Sequence, residues 1–414
     1  MMNREEVLAT LEEKFVCYTK ISSMSDRQKA SQVRPSTPEQ RNMFIQLVKD
    51  LHTLGITDVE DGGFYVIAKI KGNVPSTDTI AFITHVDTAS DCKANGVQTQ
   101  THPNYDGGDI VLKDGVTITP QANPDLLQYK GTTIFTSDGT TLLGGDDKSG
   151  VSAVMAALTQ LVKHPELPHG DLEIVFTSDE ETGFGMADFP FEKLQSTVCH
   201  TLDREGKNII DAECFNASQA TIKIHGIAHH TGTAKGYMVN ALTLAGKFLT
   251  MLPGSEAPET TERKEGFYAP VSMEGNISLM TIDMILRDFK LDGLKRREAM
   301  IQEMAKSFEV INPGCRIEVS FEHQYYNLGD TLGKFPQSTA NIVKACEKVG
   351  QPIKFSWIRG GTDGALLSEH TGKPCPNIYT GCYNFHSQYE WASLEAMYEA
   401  TELVLAIMEV YTEK

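Results

Sequence analysis

The sequence has no apolar run approaching the roughly 18 residues that a membrane-spanning helix needs. It has no C-x-x-C pair, no internal repeat and no low-complexity tract. It is also short of positive charge, with 37 Lys and Arg against 55 Asp and Glu, a formal net charge of −18. The first absence excludes an integral membrane helix. The second excludes a zinc knuckle or a redox pair, so the eight cysteines, Cys17, Cys92, Cys199, Cys214, Cys315, Cys346, Cys375 and Cys382, read as reduced thiols in or near a core. The acidic balance repels nucleic acid and anionic lipid, which removes both as expected partners. Residues 1–14 are charged and helix-forming without an apolar h-region, so no signal peptide and a cytoplasmic location are expected. What remains is ordinary for a globular protein, 40% hydrophobic and 22% charged. A length of 414 residues is more than one core usually serves and makes two domains the expectation.

Periodicity predicts helices near 4–18 and 39–54, strands at 64–71 and 79–84, and a long polar excursion over 88–141 with short strands such as 110–112. A helix over 148–163 follows, with Val151, Val154, Leu158, Leu161 and Val162 on one stripe. Buried strands are expected at 172–176 and 198–202. This alternation argues for an α/β fold whose mostly parallel sheet is flanked by helices. The pattern changes after Cys214. Strand 219–225, helix 238–252, strands 271–279 and 281–289, helix 290–308 and strand 315–321 give β-α-β-β-α-β, the ferredoxin-like order. It reads as an insertion over 215–326, with 1–214 and 327–414 forming a discontinuous catalytic domain. That domain resumes with a helix at 338–349, strands at 353–357 and 377–380, and a helix at 393–411.

Functional groups of open α/β sheets gather at the carboxyl ends of strands. Metal-binding side chains stand just after four apolar runs: Thr84-His85-Val86-Asp87, Ser178-Asp179-Glu180-Glu181, Leu202-Asp203, and Asn377-Ile378-Tyr379-Thr380 followed six residues on by His386. Asp146-Asp147 sits between Gly144-Gly145 and a helix start. Singly, each has a bland explanation as a packed histidine, an N-cap or a solvated turn. Jointly they form the histidine and carboxylate set that zinc prefers, and burying so many carboxylates without a cation would be very costly. Two ions fit better than one. His85, Asp203 and a bridging Asp146 would serve the first, and His386, Glu181 and the same Asp146 the second, with room for a shared water. Asp87 points the same way as His85 in extended chain and can accept its imidazole N–H. Glu180 is left free to act as general base toward that water and then as acid toward the leaving amine. The set accepts two Zn²⁺, with Mn²⁺ or Co²⁺ as substitutes.

These motifs resemble the co-catalytic zinc family of aminopeptidases, carboxypeptidases and aminoacylases: Thr84-His85-Val86-Asp87-Thr88, Gly144-Gly145-Asp146-Asp147-Lys148, Asp179-Glu180-Glu181-Thr182-Gly183 and Asp203. Further segments point to its tripeptide aminopeptidases: Gly232-Thr233-Ala234-Lys235-Gly236, Val239-Asn240-Ala241, Glu265-Gly266-Phe267-Tyr268, Arg287-Asp288-Phe289, Ile358-Arg359-Gly360-Gly361-Thr362-Asp363-Gly364-Ala365 and Tyr383-Asn384-Phe385-His386. The resemblance runs through essentially the whole chain. It implies hydrolysis of the N-terminal residue from tripeptides or other short peptides, with the ligands and base just given. It also implies that the inserted domain is a lid and forms a homodimer. His230 would help hold the oxyanion, Arg287 and Arg359 a peptide's terminal carboxylate, and Asn240 is implied as a further substrate contact.

The chain departs from the family pattern at Thr231, Phe184, Arg204-Glu205, Ser387-Gln388 and 21–26. The proposed ligands and base are all retained. Competing readings are a dipeptidase, aminoacylase or carboxypeptidase of the same family, and a metal- or peptide-binding protein that has lost catalysis.

Overall fold

The computed structural model describes residues 3–413, so positions 1, 2 and 414 of the expected catalytic domain lie outside the described residues. The chain forms two compact units. The first comprises the chain up to Ala212, Asp330–Trp357 and the chain from Thr362 onward; the second comprises Glu213–Gly329 with Ile358–Gly361.

The first unit is built on an eight-stranded sheet in the order Val59–Asp61, Tyr65–Ile70, Leu172–Thr177, Ile80–His85, Val198–Arg204, Asn377–Tyr379, Ile209–Glu213, Lys354–Trp357. Its central four strands are parallel. The flanking strands Tyr65–Ile70 and Ile209–Glu213 run antiparallel to their inner neighbours. Every residue of Ile80–His85 and of Leu172–Thr177 is buried, as near-continuous apolar runs covered on both faces require. Register sets His85 beside Thr177 and Ile80 beside Leu172, so the two strands end level.

Helix Gly145–Lys163 packs against the sheet and against helices Arg4–Thr19 and Leu394–Val410. It is buried on every side from Gly145 to Leu161 rather than along one stripe. Val162, expected on that stripe, is 47% exposed, because the last turn runs past the core. The excursion after position 88 supplies Gln100–His102 and Ile134–Thr136, which join Cys382–Tyr383 and Trp391–Ser393 in a second small sheet. The loop between the last two strands carries His386. Sequence periodicity gave no sign of this sheet, since its strands span only two or three residues each.

The second unit has the strand and helix order expected of a ferredoxin-like fold. Its antiparallel sheet runs Phe267–Gly275, Leu279–Asp288, Asn216–His225, Arg316–Tyr325. Ile222, Ile224, Met280, Ile282, Met284 and Leu286 meet Leu244 and Phe248 of helix Ala241–Leu249 and Ile301 and Phe308 of helix Leu291–Ile311 in one core. The first helix is shorter than the expected 238–252. Asn240 fixes its start by accepting from the N–H groups of Leu242 and Thr243.

Candidate metal centre

Parallel strands that end level deliver their next residues to one edge of the sheet. His85 closes its strand and Asp203 is the penultimate residue of Val198–Arg204. Glu180 and Glu181 open a short 3-10 turn just beyond Leu172–Thr177. Asp146 lies at the start of the central helix, where its backbone is not yet helical.

The expected ligands converge. His85 Nε2 is 2.9 Å from Asp146 Oδ1 and 3.7 Å from Asp203 Oδ1. His386 Nε2 is 3.2 Å from Asp146 Oδ2 and 2.9 Å from Glu181 Oε2. Asp146 thus turns one oxygen to each imidazole, the arrangement of a bridging carboxylate. Ligand atoms of His85, Asp146 and Glu181 lie within 4.8 Å of one another, as do those of His85, Glu180 and Asp203. Both glutamates thus reach the His85 side, and Glu181 also meets His386. The other ring nitrogen of His85 meets the Asp87 backbone carbonyl at 3.1 Å and lies 3.3 Å from Asp87 Oδ1, and that of His386 is 3.3 Å from Asp91 Oδ2. Each imidazole has a carboxylate behind it that can fix its tautomer.

The backbone that carries these groups is held by side-chain oxygens from elsewhere in the fold. Asp87 accepts from the N–H groups of Glu180 (3.1 Å) and Glu181 (3.2 Å). Asp147 Oδ2 accepts from His85 N–H at 3.2 Å, and Asn377 Oδ1 from Asp203 N–H at 3.0 Å. Glu390 accepts from Leu143 and Gly144, both at 2.8 Å, and from Asp146 at 3.0 Å. Asp179, itself buried, accepts from Ser36 N–H and Gln40 Nε2, which ties the N-terminal segment to the loop bearing Glu180.

Burial raises Glu180 well above the usual carboxyl range and pushes Glu181 up to about 8, Asp203 to about 6, Asp363 to about 7 and Glu390 to about 7. Burial opposes charge on His386, but Asp146 and Glu181 outweigh it and lift the imidazole to about 12. Carboxyl groups packed this closely keep protons unless a cation neutralises them. Glu181 Oε1 is buried with no hydrogen-bond partner among the described residues. An orphaned carboxylate oxygen within a nitrogen and oxygen donor set is what a divalent metal requires, so the residues fit the implied ions.

Sequence reasoning missed Asp147, Asp363, Asn377 and Glu390 as parts of the site. Asp363 Oδ2 accepts from Thr177 Oγ1 at 2.6 Å and shares a cavity with His85, Glu180, Thr201 and Asp203. The Gly-Gly-Thr-Asp turn was a signal for it; Glu390 had none. His230, Asn240, Arg287 and Arg359 belong to the second unit. His230 is exposed and its Nδ1 accepts from Gly232 N–H. Arg287 donates to the Leu286 carbonyl at 3.0 Å and lies over the Tyr325 ring. Arg359 donates to the carbonyls of Arg263 and Glu265 and to Thr261 Oγ1.

A family model described as Peptidase family M20/M25/M40 matches residues 135–410. The chain is 39% identical over 407 residues to a Peptidase T of Clostridium perfringens, covering 97% of this chain and 99% of that protein. It is 38% identical over 415 residues to a Peptidase T of Listeria monocytogenes, covering 99% and 100%. Among solved structures, an aminopeptidase of Bacillus cereus superposes with a TM-score of 0.75 at 22% identity, and a tripeptidase of Staphylococcus aureus with 0.75 at 19%, each over 100% of both chains. The two histidines and the carboxylates at one sheet edge thus sit in a chain that matches these relatives from end to end, and the chain belongs to the M20/M25/M40 family of peptidases.

Proposed function

We propose that this protein is a metal-dependent aminopeptidase that removes the N-terminal residue from tripeptides and other short peptides. The observation that carries the reading is Asp146, whose two oxygens face His85 and His386 while Asp203 and Glu181 complete the two sides. The full-length likeness to Peptidase T supports the substrate class. Two divalent cations, zinc with manganese or cobalt as substitutes, would be held by His85, Asp203 and Asp146 and by His386, Glu181 and Asp146, and would supply Lewis acidity for the scissile carbonyl and for the attacking water.

The chain's own residues perform the rest. Glu180 takes a proton from the attacking water and returns it to the leaving amine. Its backbone is fixed by Asp87, which also stands behind His85. Arg287 and Arg359 supply cationic forks for the peptide carboxylate. Arg359 spends three of its donors on Arg263, Glu265 and Thr261, which leaves part of the guanidinium for substrate. His230 serves the oxyanion, and Asn240 serves substrate alongside its role as helix cap. The second unit acts as lid and dimerisation domain, and the protein works in the cytoplasm as a homodimer.

The test is release of leucine from Leu-Gly-Gly by zinc-loaded protein, run beside N-acetyl-Leu-Gly-Gly. Turnover of the free amine and rejection of the blocked peptide are expected. Preference for the acetylated peptide would point to an aminoacylase, and no turnover of any short peptide would remove the proposal.

A further inference from the structure

We infer that Glu205 is a positioning residue for His386, presetting that imidazole for the metal it shares with Glu181; the inference rests on the two-metal reading above. The strand Val198–Arg204 pairs in parallel with Asn377–Tyr379, and the pairing does not stop where the strands end. Thr380 N–H donates to the Arg204 carbonyl at 2.9 Å, Gly381 N–H to the Gly206 carbonyl at 2.9 Å, and Gly206 N–H to the Cys382 carbonyl at 2.8 Å. The next rung is made by a side chain: Glu205 Oε1 accepts from Asn384 N–H at 2.6 Å. A ladder that starts beside Asp203 is thereby carried to a point two residues short of His386.

Asn384 and His386 both have left-handed backbone, φ 57° and 61°, a region uncommon outside glycine and best tolerated by Asn, Asp and His, so the loop turns sharply on either side of Phe385. Glu205 is in turn fixed by its neighbour. Arg204 donates to the Glu205 carbonyl at 2.7 Å and is ion-paired with the buried Asp211 at 3.0 Å. The side chain of Asn384 is engaged separately, donating to the Tyr389 carbonyl at 3.0 Å and to Asn123. The carboxylate on the Asn384 backbone N–H thus extends the backbone tie between the segment bearing Asp203 and residues 380–382 into the His386 loop itself. Glu205 plays for His386 the part that Asp87 plays for Glu180 and Glu181, and Glu390 for Asp146. It links ligands assigned to different ions.

The experiment is titration of the metal-free full-length protein with Zn²⁺ against a chromophoric chelator, for the parent, Glu205→Ala, Glu205→Gln, His386→Ala and the Glu205→Ala/His386→Ala double variant. The parent takes up two ions. Glu205→Ala weakens one of them by roughly tenfold to a hundredfold and leaves the other within about twofold. Glu205→Gln keeps an oxygen acceptor and recovers most of the loss. In the His386→Ala background the Glu205→Ala change costs nothing further, because the residue it positions is gone. Equal weakening of both ions, failure of Gln to rescue, or an undiminished loss in the His386→Ala background would overturn the inference. A parent that takes up fewer than two ions defeats the two-metal reading and this inference with it; a parent that takes up two while Glu205→Ala matches it defeats this inference alone.

Discussion

Glu180 and Glu181 are adjacent in sequence but keep different company, Glu180 with His85 and Asp203, Glu181 with His85, Asp146 and His386. Division of labour between neighbouring carboxylates follows, since a short 3-10 turn cannot point consecutive side chains the same way. Replacing Glu180 with Ala should leave the zinc content of purified protein unchanged while kcat falls by about 10² to 10⁴, the usual worth of a general base. Metal analysis and kinetics on one preparation check this, and a surviving rate would show that another group carries the proton. Glu390 makes a different kind of contribution. Its two oxygens gather three backbone N–H groups around the turn that presents Asp146. In Glu390→Gln one of those oxygens becomes an N–H₂ donor facing backbone donors. Zinc affinity should fall by roughly 10- to 100-fold, measurable by chelator competition, whereas parent-like affinity would mean that the turn holds its shape unaided.

At the scale of elements, the central strands do two jobs: they fill the core and they aim the ligands. His200 shows the cost on strand Val198–Arg204. It is fully buried, stacked on Phe82, with neither ring nitrogen hydrogen-bonded among the described residues, and burial pushes its pKa down to about 3. The unfolded chain binds a proton near pH 6.5 and the folded chain does not, so the folded state loses stability as pH falls from about 6.5 toward 3, by up to about 1.4 kcal/mol per pH unit. Urea melts of metal-free protein at pH 7 and pH 5 should show a steeper decline for the parent than for His200→Leu. Parallel declines would contradict the assignment.

The proposed ligands His85, Glu181 and Asp203 were legible in the sequence because they follow apolar runs at strand ends, where periodicity and chemistry coincide, whereas Asp146 was marked by the Gly-Gly before a helix and His386 stands further along a loop. The groups that hold the ligands were not. Glu205, Asn377 and Glu390 meet their partners across 179, 174 and 244 to 247 positions, and a carboxylate that accepts a distant backbone N–H leaves no local pattern. Asn240, marked for substrate by motif resemblance, also caps a helix, a role that resemblance did not bring out. Arg204 and Glu205 stood out only as departures from the family pattern. In the fold they are a salt bridge to Asp211 and a brace for the His386 loop.

For the molecule as a whole, metal binding and folding should be linked, because an ion that binds only the native carboxylate cluster stabilises it by mass action. Free zinc at about 100 times its dissociation constant would add about 2.7 kcal/mol per site. Chelation should therefore lower the Tm reversibly, and re-addition of zinc should restore it; a Tm indifferent to chelator would separate the cluster from stability. The proposed homodimer has a natural surface in the second unit, where edge strand Phe267–Gly275 leaves Val271 and Met273 exposed, at 59% and 44%. Sedimentation should give a dimer for the parent and a monomer for Val271→Asp/Met273→Glu; a double variant that stays dimeric would place the contact elsewhere. Most direct of all is an anomalous difference map at the zinc edge from crystals of the metal-replete protein. Two peaks about 3.5 to 4 Å apart, with Asp146 bonded to both, are what this account predicts; a single peak, or a pair that Asp146 does not bridge, would contradict it.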